Sequence, residues 1–345
     1  MEKRSAWSAE ATEQEMLDTV PLGRSPVRLS PLGVGAMTWG EKTRMTAYGG
    51  TKSPADEESA FRTSLDAGVT LFDTAEMYGS GNSERRLGEL ARGTGAIIAT
   101  KYAPSLGFLP FLPRSSRHLP KALDRSLARL GRTTVDLYQI HYPVPLVPIK
   151  GLMGRLADAV QSGKVRAVGV SNYSEAQMRA AYAALEARGV PLASNQVQYS
   201  LLYRRPEFDG VLAACKELNV TLLAYMPLAM GALSGKYRPG SVPTDWMRRR
   251  MTNTFRPREV ESLGHISAKL GAIGTSHGKS SAQVALRWVM EHGAVPIPGA
   301  KDGSQAQENA GAVTFSLSQA EVAELRDASG GWVQEPRWKM SPTIA

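Results

Sequence analysis

Four polar residues follow apolar segments of the chain, where proteins built from parallel strands place reactive groups. They are Asp73 at the end of VTLFD, Tyr78 five residues later, Lys101 after AIIAT and His141 after VDLYQI. Taken singly, an aspartate can cap a helix, a tyrosine can pack at a rim and a histidine can be satisfied in a core. If all of them lie at one end of a sheet, however, their buried charges would be unpaired unless these side chains interact with one another. Because such a set can hold and transfer a proton, we take these residues as candidate catalytic groups.

Short apolar segments alternate with amphipathic ones from about residue 31 to residue 329, which is typical of a parallel sheet with helices between its strands. The predicted strands cover 33–37, 69–73, 96–100, 135–140, 165–170, 194–198, 220–225 and 294–297. Eight such strands close a barrel. The predicted fold is α/β, a (β/α)₈ TIM barrel, with long loops over 101–116 and 226–256 at its C-terminal face.

The segment VPLGRSPVRLS, before the first barrel strand, predicts a β-hairpin with its turn at residues 23–26. This hairpin would cover the bottom of the barrel. Residues 1–19 are predicted to form a flexible tail. Residues 20–345 are predicted to form a single domain, because no Pro/Gly/Ser-rich linker or shift in composition divides them.

Composition and charge narrow the classes of protein. The chain has 345 residues, of which 42% are hydrophobic and 21% charged, as in ordinary globular proteins. It has neither an apolar run of ~20 residues nor the apolar core of a signal peptide, which predicts a cytoplasmic protein without a membrane span. The net charge is +9, but the Lys and Arg residues are spread along the chain, and residues 248–250 form the one short cluster. We therefore expect no nucleic-acid partner.

Cysteine and histidine usage gives no sign of redox or metal chemistry. The single cysteine, Cys215, cannot form an internal disulfide and is predicted to be a buried small side chain. The five histidines show no metal-ligand spacing, so no metal site is expected.

Eight segments carrying these positions resemble, in order, the signature blocks of the aldo-keto reductase superfamily. They are LGVGAMTWG, LFDTAEMYGSGNSERRLGEL, IIATKYAP, VDLYQIHYP, GKVRAVGVSNYS, NQVQYSLLYRR, LLAYMPLAMGALSGKY and VPIPGAKDGSQAQENAGA. The similarity is greatest to the branch that includes potassium-channel β-subunits and soluble bacterial and plant reductases. It implies a reversible, NADPH-dependent reduction of an aldehyde or ketone to an alcohol by hydride transfer.

The resemblance makes Asp73, Tyr78, Lys101 and His141 a catalytic tetrad. Tyr78 would be the general acid, and the nearby Lys101 ammonium would lower the phenol pKa from its usual value of ~10. Asp73 would pair with Lys101. His141 would either orient the substrate carbonyl or relay the proton, and the sequence leaves both roles open.

The resemblance also implies an NADP(H) site. Ser171, Asn172 and Gln196 would bind the nicotinamide carboxamide, Tyr225 would stack on the ring, and the loop 226–236 would cover the pyrophosphate. Lys301 and Gln305 would meet the 2′-phosphate, and Glu308 and Asn309 the adenine. The full predicted set is Thr38, Trp39, Ser171, Asn172, Gln196, Tyr225, Met226, Pro227, Leu228, Gly231, Lys236, Gly299, Lys301, Gln305, Glu308 and Asn309.

Two of these positions depart from many reductases of this kind, which have a lysine where Gly299 stands and an arginine where Gln305 stands. The choice of NADP over NAD is therefore open on sequence grounds. An arginine from residues 248–250 could supply the missing charge.

Other nicotinamide folds match poorly. Gly33-x-Gly35 is followed by Thr38 where the third glycine of the Rossmann fingerprint belongs. The pair Tyr48 and Lys52 has the spacing of a short-chain dehydrogenase, but its segment AYGGTKSP favours a loop over the helix that this motif needs.

Two different functions remain as alternatives. Lys101 could form a Schiff base in a lyase, although a charged partner such as Asp73 would hold the amine protonated. The chain could also be an NADP(H)-sensing regulatory subunit with little turnover.

For a reductase, Phe108, Leu109 and Phe111 in the first long loop, with Trp39 at the mouth, predict an apolar or aromatic carbonyl substrate. Whether the chain forms a homo-oligomer stays open.

Overall fold

Eight short segments, most of them rich in aliphatic and β-branched residues, form parallel strands. The computed structural model describes residues 18–40, 53–106, 109–238, 240–244, 248 and 254–332. Its barrel strands are β1 (Gly33–Gly35), β2 (Leu71–Asp73), β3 (Ile97–Tyr102), β4 (Val135–Ile140), β5 (Val165–Ser171), β6 (Leu192–Gln198), β7 (Thr221–Tyr225) and β8 (Val295–Ile297). Each of the eight predicted segments contains one of them or overlaps it.

The strands pair in the order in which they occur along the chain, from β1 to β8. The barrel then closes where Gly35 N–H donates to the Pro298 carbonyl at 2.9 Å and Gly35 pairs in parallel with Gly299. The predicted TIM barrel is thereby confirmed. All eight strands direct their carboxyl ends to one mouth.

Helices lie between the strands and after them. They are α1 (Pro54–Asp66), α2 (Asn82–Leu90), α3 (Leu119–Leu130), α4 (Ile149–Gln161), α5 (Glu175–Glu186), α6 (Arg205–Phe208), α7 (Val211–Glu217), α8 (Pro257–His277), α9 (Ser281–Glu291), α10 (Gly303–Ala310) and α11 (Gln319–Ala328). Capping boxes begin α1, α5, α9 and α11 at Ser53, Ser174, Ser280 and Ser318, because each serine hydroxyl accepts a backbone N–H of the first turn. Local sequence thus sets where these helices begin.

The predicted hairpin covers the bottom of the barrel. Its strands, Val20–Pro21 and Arg28–Leu29, pair antiparallel. Leu22, Val27 and Leu29 are at most 1% exposed and pack against apolar side chains from seven barrel strands. In the turn, Gly23 has φ of +55°, and a Cβ there would lie 2.6 Å from the Ala193 carbonyl oxygen. Glycine is therefore required where the hairpin meets the barrel.

Three strands extend further than the sequence predicts: β3 to Tyr102, β5 to Ser171 and β6 back to Leu192. β3 runs to Tyr102 because Lys101 and Tyr102 pair with Gln139 and Ile140, so Lys101 lies inside a strand rather than after it. The first long loop also contains an unpredicted antiparallel hairpin, Ser105–Leu106 with Leu109–Pro113.

Several residues used in the sequence-based predictions are outside the part of the chain that the structure describes. Tyr48, Lys52, Phe108, Arg249, Arg250 and residues 1–17 of the predicted tail belong to this group. The single domain over 20–345 stays a prediction. Within the described part of the chain, no helix combines the length and apolarity that a membrane crossing requires.

Candidate active site

Lys101 and Asp73 form an ion pair at the mouth of the barrel. Lys101 Nζ lies 2.5 Å from Asp73 Oδ2 and also donates to the Thr74 carbonyl at 2.9 Å. The side chains of Lys101 and Asp73 are 0% and 4% exposed. Because the pair joins neighbouring strands β2 and β3, the sheet itself sets its geometry.

Two glutamine side chains hold the other oxygen of Asp73. Gln196 Nε2 donates to Asp73 Oδ1 at 2.8 Å, and Gln139 Nε2 donates to it at 3.4 Å. Gln139 is not among the residues predicted from the sequence to form the site. A glutamine inside the apolar run VDLYQI was the available signal, because a buried amide needs polar partners.

Tyr78 and His141 lie beside this pair. Lys101 Nζ is 5.3 Å from the centre of the Tyr78 ring, and the Tyr78 and His141 rings are 5.6 Å apart at an angle of 85°. Tyr78 begins a 3₁₀ turn, Tyr78–Gly81, that follows β2. The structure thus gathers the four candidate catalytic residues at one point.

Burial shifts the pKa of two of these groups. Burial lowers the pKa of Lys101 from its usual 10.5, while the Asp73 carboxylate opposes that shift. Burial, with a smaller contribution from the Lys101 charge, lowers the pKa of His141 well below its usual 6.5. His141 is therefore neutral near pH 7, and its imidazole carries one N–H donor.

The lowered pKa of His141 predicts how stability depends on pH. Below about pH 6.5 the unfolded chain binds a proton at His141 that the native protein does not bind. The contribution of His141 to stability is therefore complete above the unfolded-state pKa and is lost as the pH falls below it. We expect His141→Gln to flatten the pH dependence of the unfolding free energy between about pH 5 and about pH 7, as measured by urea denaturation.

His265→Gln, at an exposed position on α8, is the matched control and should keep the wild-type slope. An unchanged slope in His141→Gln would show that His141 does not titrate as its burial indicates.

A cavity opens above the tetrad, and most of the predicted cofactor residues line it. Those that do are Thr38, Ser171, Asn172, Gln196, Tyr225, Met226, Pro227, Leu228, Gly231, Lys236, Gly299, Lys301, Gln305 and Glu308, together with Asp73, Tyr78 and His141. Lys101 is not in the wall and lies behind Asp73.

Near the tetrad, amide and hydroxyl groups form a connected network. Asn172 Nδ2 donates to the His141 carbonyl at 3.1 Å, and Asn172 Oδ1 accepts the Tyr225 hydroxyl at 3.0 Å. Ser171 Oγ donates to the Gln196 carbonyl at 2.8 Å. These bonds fix the polar groups at the ends of β5, β6 and β7 around the same opening.

Three cationic side chains also line the cavity. They are Lys236, Arg248 and Lys301, and Lys301 lies two residues before α10 begins. Gln305 Oε1 accepts the Lys301 backbone N–H at 3.1 Å, and Arg248 donates to the Tyr237 hydroxyl. Cationic side chains and helix N-terminal amides are groups that bind phosphate.

Two predicted cofactor residues do not reach the cavity. Trp39 is 1% exposed, packs against Phe61 and Phe72, and donates its indole N–H to the Ala300 carbonyl at 2.8 Å. It lies in the core and not at the mouth, because its indole ring packs among buried aromatic side chains and its N–H is bonded to the backbone. Asn309 is 6% exposed and donates to the Gly299 carbonyl at 3.3 Å, so it supports the loop that forms the wall.

The cavity also has lining residues that sequence reasoning missed. Met37, Tyr237 and Pro298 belong to this group, whereas Met230 and Ser234 lie in the loop 226–236 that was predicted to cover the pyrophosphate. Three of the non-glycine residues after β7, Met226, Ala229 and Met230, have positive φ of 52°, 46° and 59°. Such strained backbone concentrates at ligand sites. No local pattern in the sequence marks these conformations.

Comparison with known proteins agrees with this geometry. The chain matches the model of the aldo/keto reductase family over residues 31–329. It is 33% identical over 320 residues to the chloroplastic pyridoxal reductase of Arabidopsis thaliana, covering 88% of this chain and 84% of that protein. It is 34% identical over 293 residues to the Schizosaccharomyces pombe aldo-keto reductase yakc [NADP(+)], covering 81% of this chain and 84% of that protein.

A solved structure shows the same fold. The glycerol dehydrogenase of Gluconobacter oxydans superposes with a TM-score of 0.77 at 27% identity, covering 95% of this chain and 99% of that one. The barrel, the family match and these relatives together show that the chain belongs to the aldo/keto reductase family of oxidoreductases.

Proposed function

We propose that this protein reduces an aldehyde or ketone to an alcohol, with NADPH as hydride donor and Tyr78 as general acid. One observation carries the proposal: the Lys101–Asp73 ion pair lies beside Tyr78 and His141 at a cavity that three cationic side chains also line. This arrangement supports roles for Tyr78 as the acid, Lys101 as the cation that tunes it and His141 as a neutral hydrogen-bond donor.

The residues divide the chemistry as follows. Tyr78 gives its proton to the carbonyl oxygen, and the Lys101 ammonium stabilises the phenolate that remains. Asp73 holds Lys101 in place, while Gln196 and Gln139 hold Asp73. Neutral His141 donates its N–H to the substrate oxygen and orients it. When bound, NADPH supplies the hydride that the carbonyl carbon receives.

The cavity residues fit a phosphorylated dinucleotide. Amide groups of Asn172 and Gln196 lie near the tetrad, where a carboxamide can bind, and three cationic side chains line the same cavity. Arg248 is among them, which supports the suggestion that residues 248–250 compensate for Gly299 and Gln305. The name of the S. pombe relative includes NADP(+).

Lys301 gives a test of cofactor choice. We expect Lys301→Ala to weaken NADPH binding by about tenfold or more, because a charged hydrogen bond to phosphate contributes about 1.5–3 kcal/mol. NADH binding should change little, since NADH lacks the 2′-phosphate. Fluorescence titration with both nucleotides measures this. Lys164→Ala, which removes an exposed ion pair with Asp124, is the control. Equal losses for both nucleotides would place Lys301 elsewhere along the cofactor.

The substrate is proposed to be an apolar or aromatic carbonyl compound. Met37, Leu228 and Met230 give the cavity an apolar wall. The A. thaliana relative is named for pyridoxal, which is an aromatic aldehyde. Trp39 no longer supports this assignment because it is buried in the core.

A turnover panel tests the proposal. Loss of NADPH absorbance should be fastest with aromatic aldehydes and quinones, and slower with glyceraldehyde, the polar comparison that the G. oxydans neighbour suggests. A preference for small polar aldoses would overturn the substrate class. Tight NADPH binding with no turnover on any carbonyl would favour a sensor, and borohydride trapping of a substrate on Lys101 would favour a lyase. Cytoplasmic location and the lack of a nucleic-acid partner stay predictions.

A further inference from the structure

The hairpin segment 103–116, between β3 and α3, is attached to the loop that carries Tyr78. Glu76, two residues before Tyr78, accepts the Ala103 N–H at 2.9 Å. The same oxygen, Oε1, accepts Arg114 Nη1 at 2.7 Å, and Arg114 also donates to the Ala103 carbonyl at 3.1 Å. One arginine at the end of the hairpin segment thus bonds to both its beginning and the Tyr78 loop.

The hairpin segment is also bonded to two residues that directly follow members of the tetrad. Tyr102, which follows Lys101, donates its hydroxyl to the Ser115 carbonyl at 3.0 Å and lies under the Arg114 guanidinium at 4.8 Å. Tyr142, which follows His141, shares a hydrogen bond of 2.5 Å with Ser105. Residues within two positions of Tyr78, Lys101 and His141 therefore all bond to the hairpin segment 103–116.

The Tyr78 loop departs from regular helix. Gly79, Ser80 and Gly81 have φ of 54°, 54° and 90°, and its backbone bonds include a long one, from the Ser80 N–H to the Met77 carbonyl at 3.3 Å, so side-chain bonds can add to its support. The Glu76–Arg114 pair is well placed to hold it, since the two side chains are only 9% and 15% exposed. A buried ion pair of this kind fixes position because either partner alone would be left with uncompensated charge.

We infer that Arg114 is a positioning residue, which acts through Glu76 to fix the Tyr78 loop and to join it to the hairpin segment 103–116. The inference rests on the proposed function, because it concerns how Tyr78 meets the carbonyl. Arg114 has no part in proton transfer. Its role is to hold the Tyr78 loop against the hairpin segment, so that the acid meets the carbonyl in a fixed position.

Arg114→Met is the test, with Arg114→Lys and Glu76→Gln beside it. We expect Arg114→Met to lower kcat by about 10-fold to 10²-fold, the effect of misplacing a reacting group by ~1 Å, with NADPH affinity unchanged. Arg114→Lys should recover most of kcat because an ammonium can still pair with Glu76. Glu76→Gln keeps an acceptor for Ala103 N–H but loses the charge, so it should resemble Arg114→Met.

The matched control is Arg204→Met. Arg204 pairs with Glu207 at 2.6 Å, with side chains 5% and 15% exposed, and the pair lies outside the residues that line the cavity. Arg204→Met should lower the unfolding free energy about as much as Arg114→Met does, and it should leave kcat unchanged. Equal kcat values for the two methionine variants, or no recovery with Arg114→Lys, would overturn the inference.

Hydrogen exchange separates this inference from the proposed function. Arg114→Met should speed amide exchange in peptides covering 74–81 and 103–106 together, and Arg204→Met should speed it in neither. If the wild type binds NADPH but reduces no carbonyl, the proposed function fails, and the exchange result still decides whether Arg114 holds the two segments. Unchanged exchange in both segments would overturn the inference whatever the turnover.

Discussion

Tyr78→Phe should lower turnover by at least about 10²-fold while NADPH still binds, because the variant loses only the hydroxyl that gives up the proton. The centres of the Tyr78 and His141 rings are 5.6 Å apart, and the phenyl ring of the variant should keep this contact, so the cavity should keep its shape. Steady-state loss of NADPH absorbance gives kcat, and fluorescence titration gives the dissociation constant.

Tyr182→Phe serves as the control for this substitution. Tyr182 lies on α5, beneath the Arg24 guanidinium at 5.3 Å, and is not in the cavity wall. It should leave both kcat and NADPH binding unchanged. If Tyr78→Phe kept near-wild-type kcat, another group would have to be the acid, and the proposed mechanism would be wrong.

Lys101→Met should have the largest effect on stability. The substitution fills nearly the same volume but leaves the Asp73 carboxylate buried, with only the donors from Gln196 and Gln139. Breaking a buried ion pair by removing one partner costs about 3–5 kcal/mol. We expect a loss of that size in the unfolding free energy near pH 7, measured by urea denaturation, together with a large loss of turnover.

The double variant Lys101→Met/Asp73→Asn separates the two effects. It removes the uncompensated charge and keeps an oxygen that can accept from Gln196, so it should recover part of the lost stability. Turnover should stay low, because the ammonium beside Tyr78 is still missing. A double variant no more stable than Lys101→Met would show that the carboxylate is not the source of the loss.

These experiments concern residues whose neighbourhood was predictable from the sequence. Apolar segments of strand length, separated by amphipathic stretches, predict eight parallel strands, and the capping serines Ser53 and Ser318 show that local sequence also sets helix starts. Such features depend on contacts within a few residues, which the local sequence determines. Because parallel strands end at one mouth, the order of Asp73, Lys101 and His141 at strand ends also predicted that they would meet.

Only the tertiary structure decided which side chains face the cavity and what holds them. Trp39 lies in the core, Gln139 supports Asp73 across 66 positions of sequence, and Arg114 reaches Glu76 across 38. No local pattern encodes such contacts, because they depend on barrel closure and on the path of the long loops. The sequence by itself determined the strands, the helix starts and the ends where the reactive groups lie. The packing of distant segments decided their orientation, because a side chain's direction at a strand end is set by neighbours from other strands.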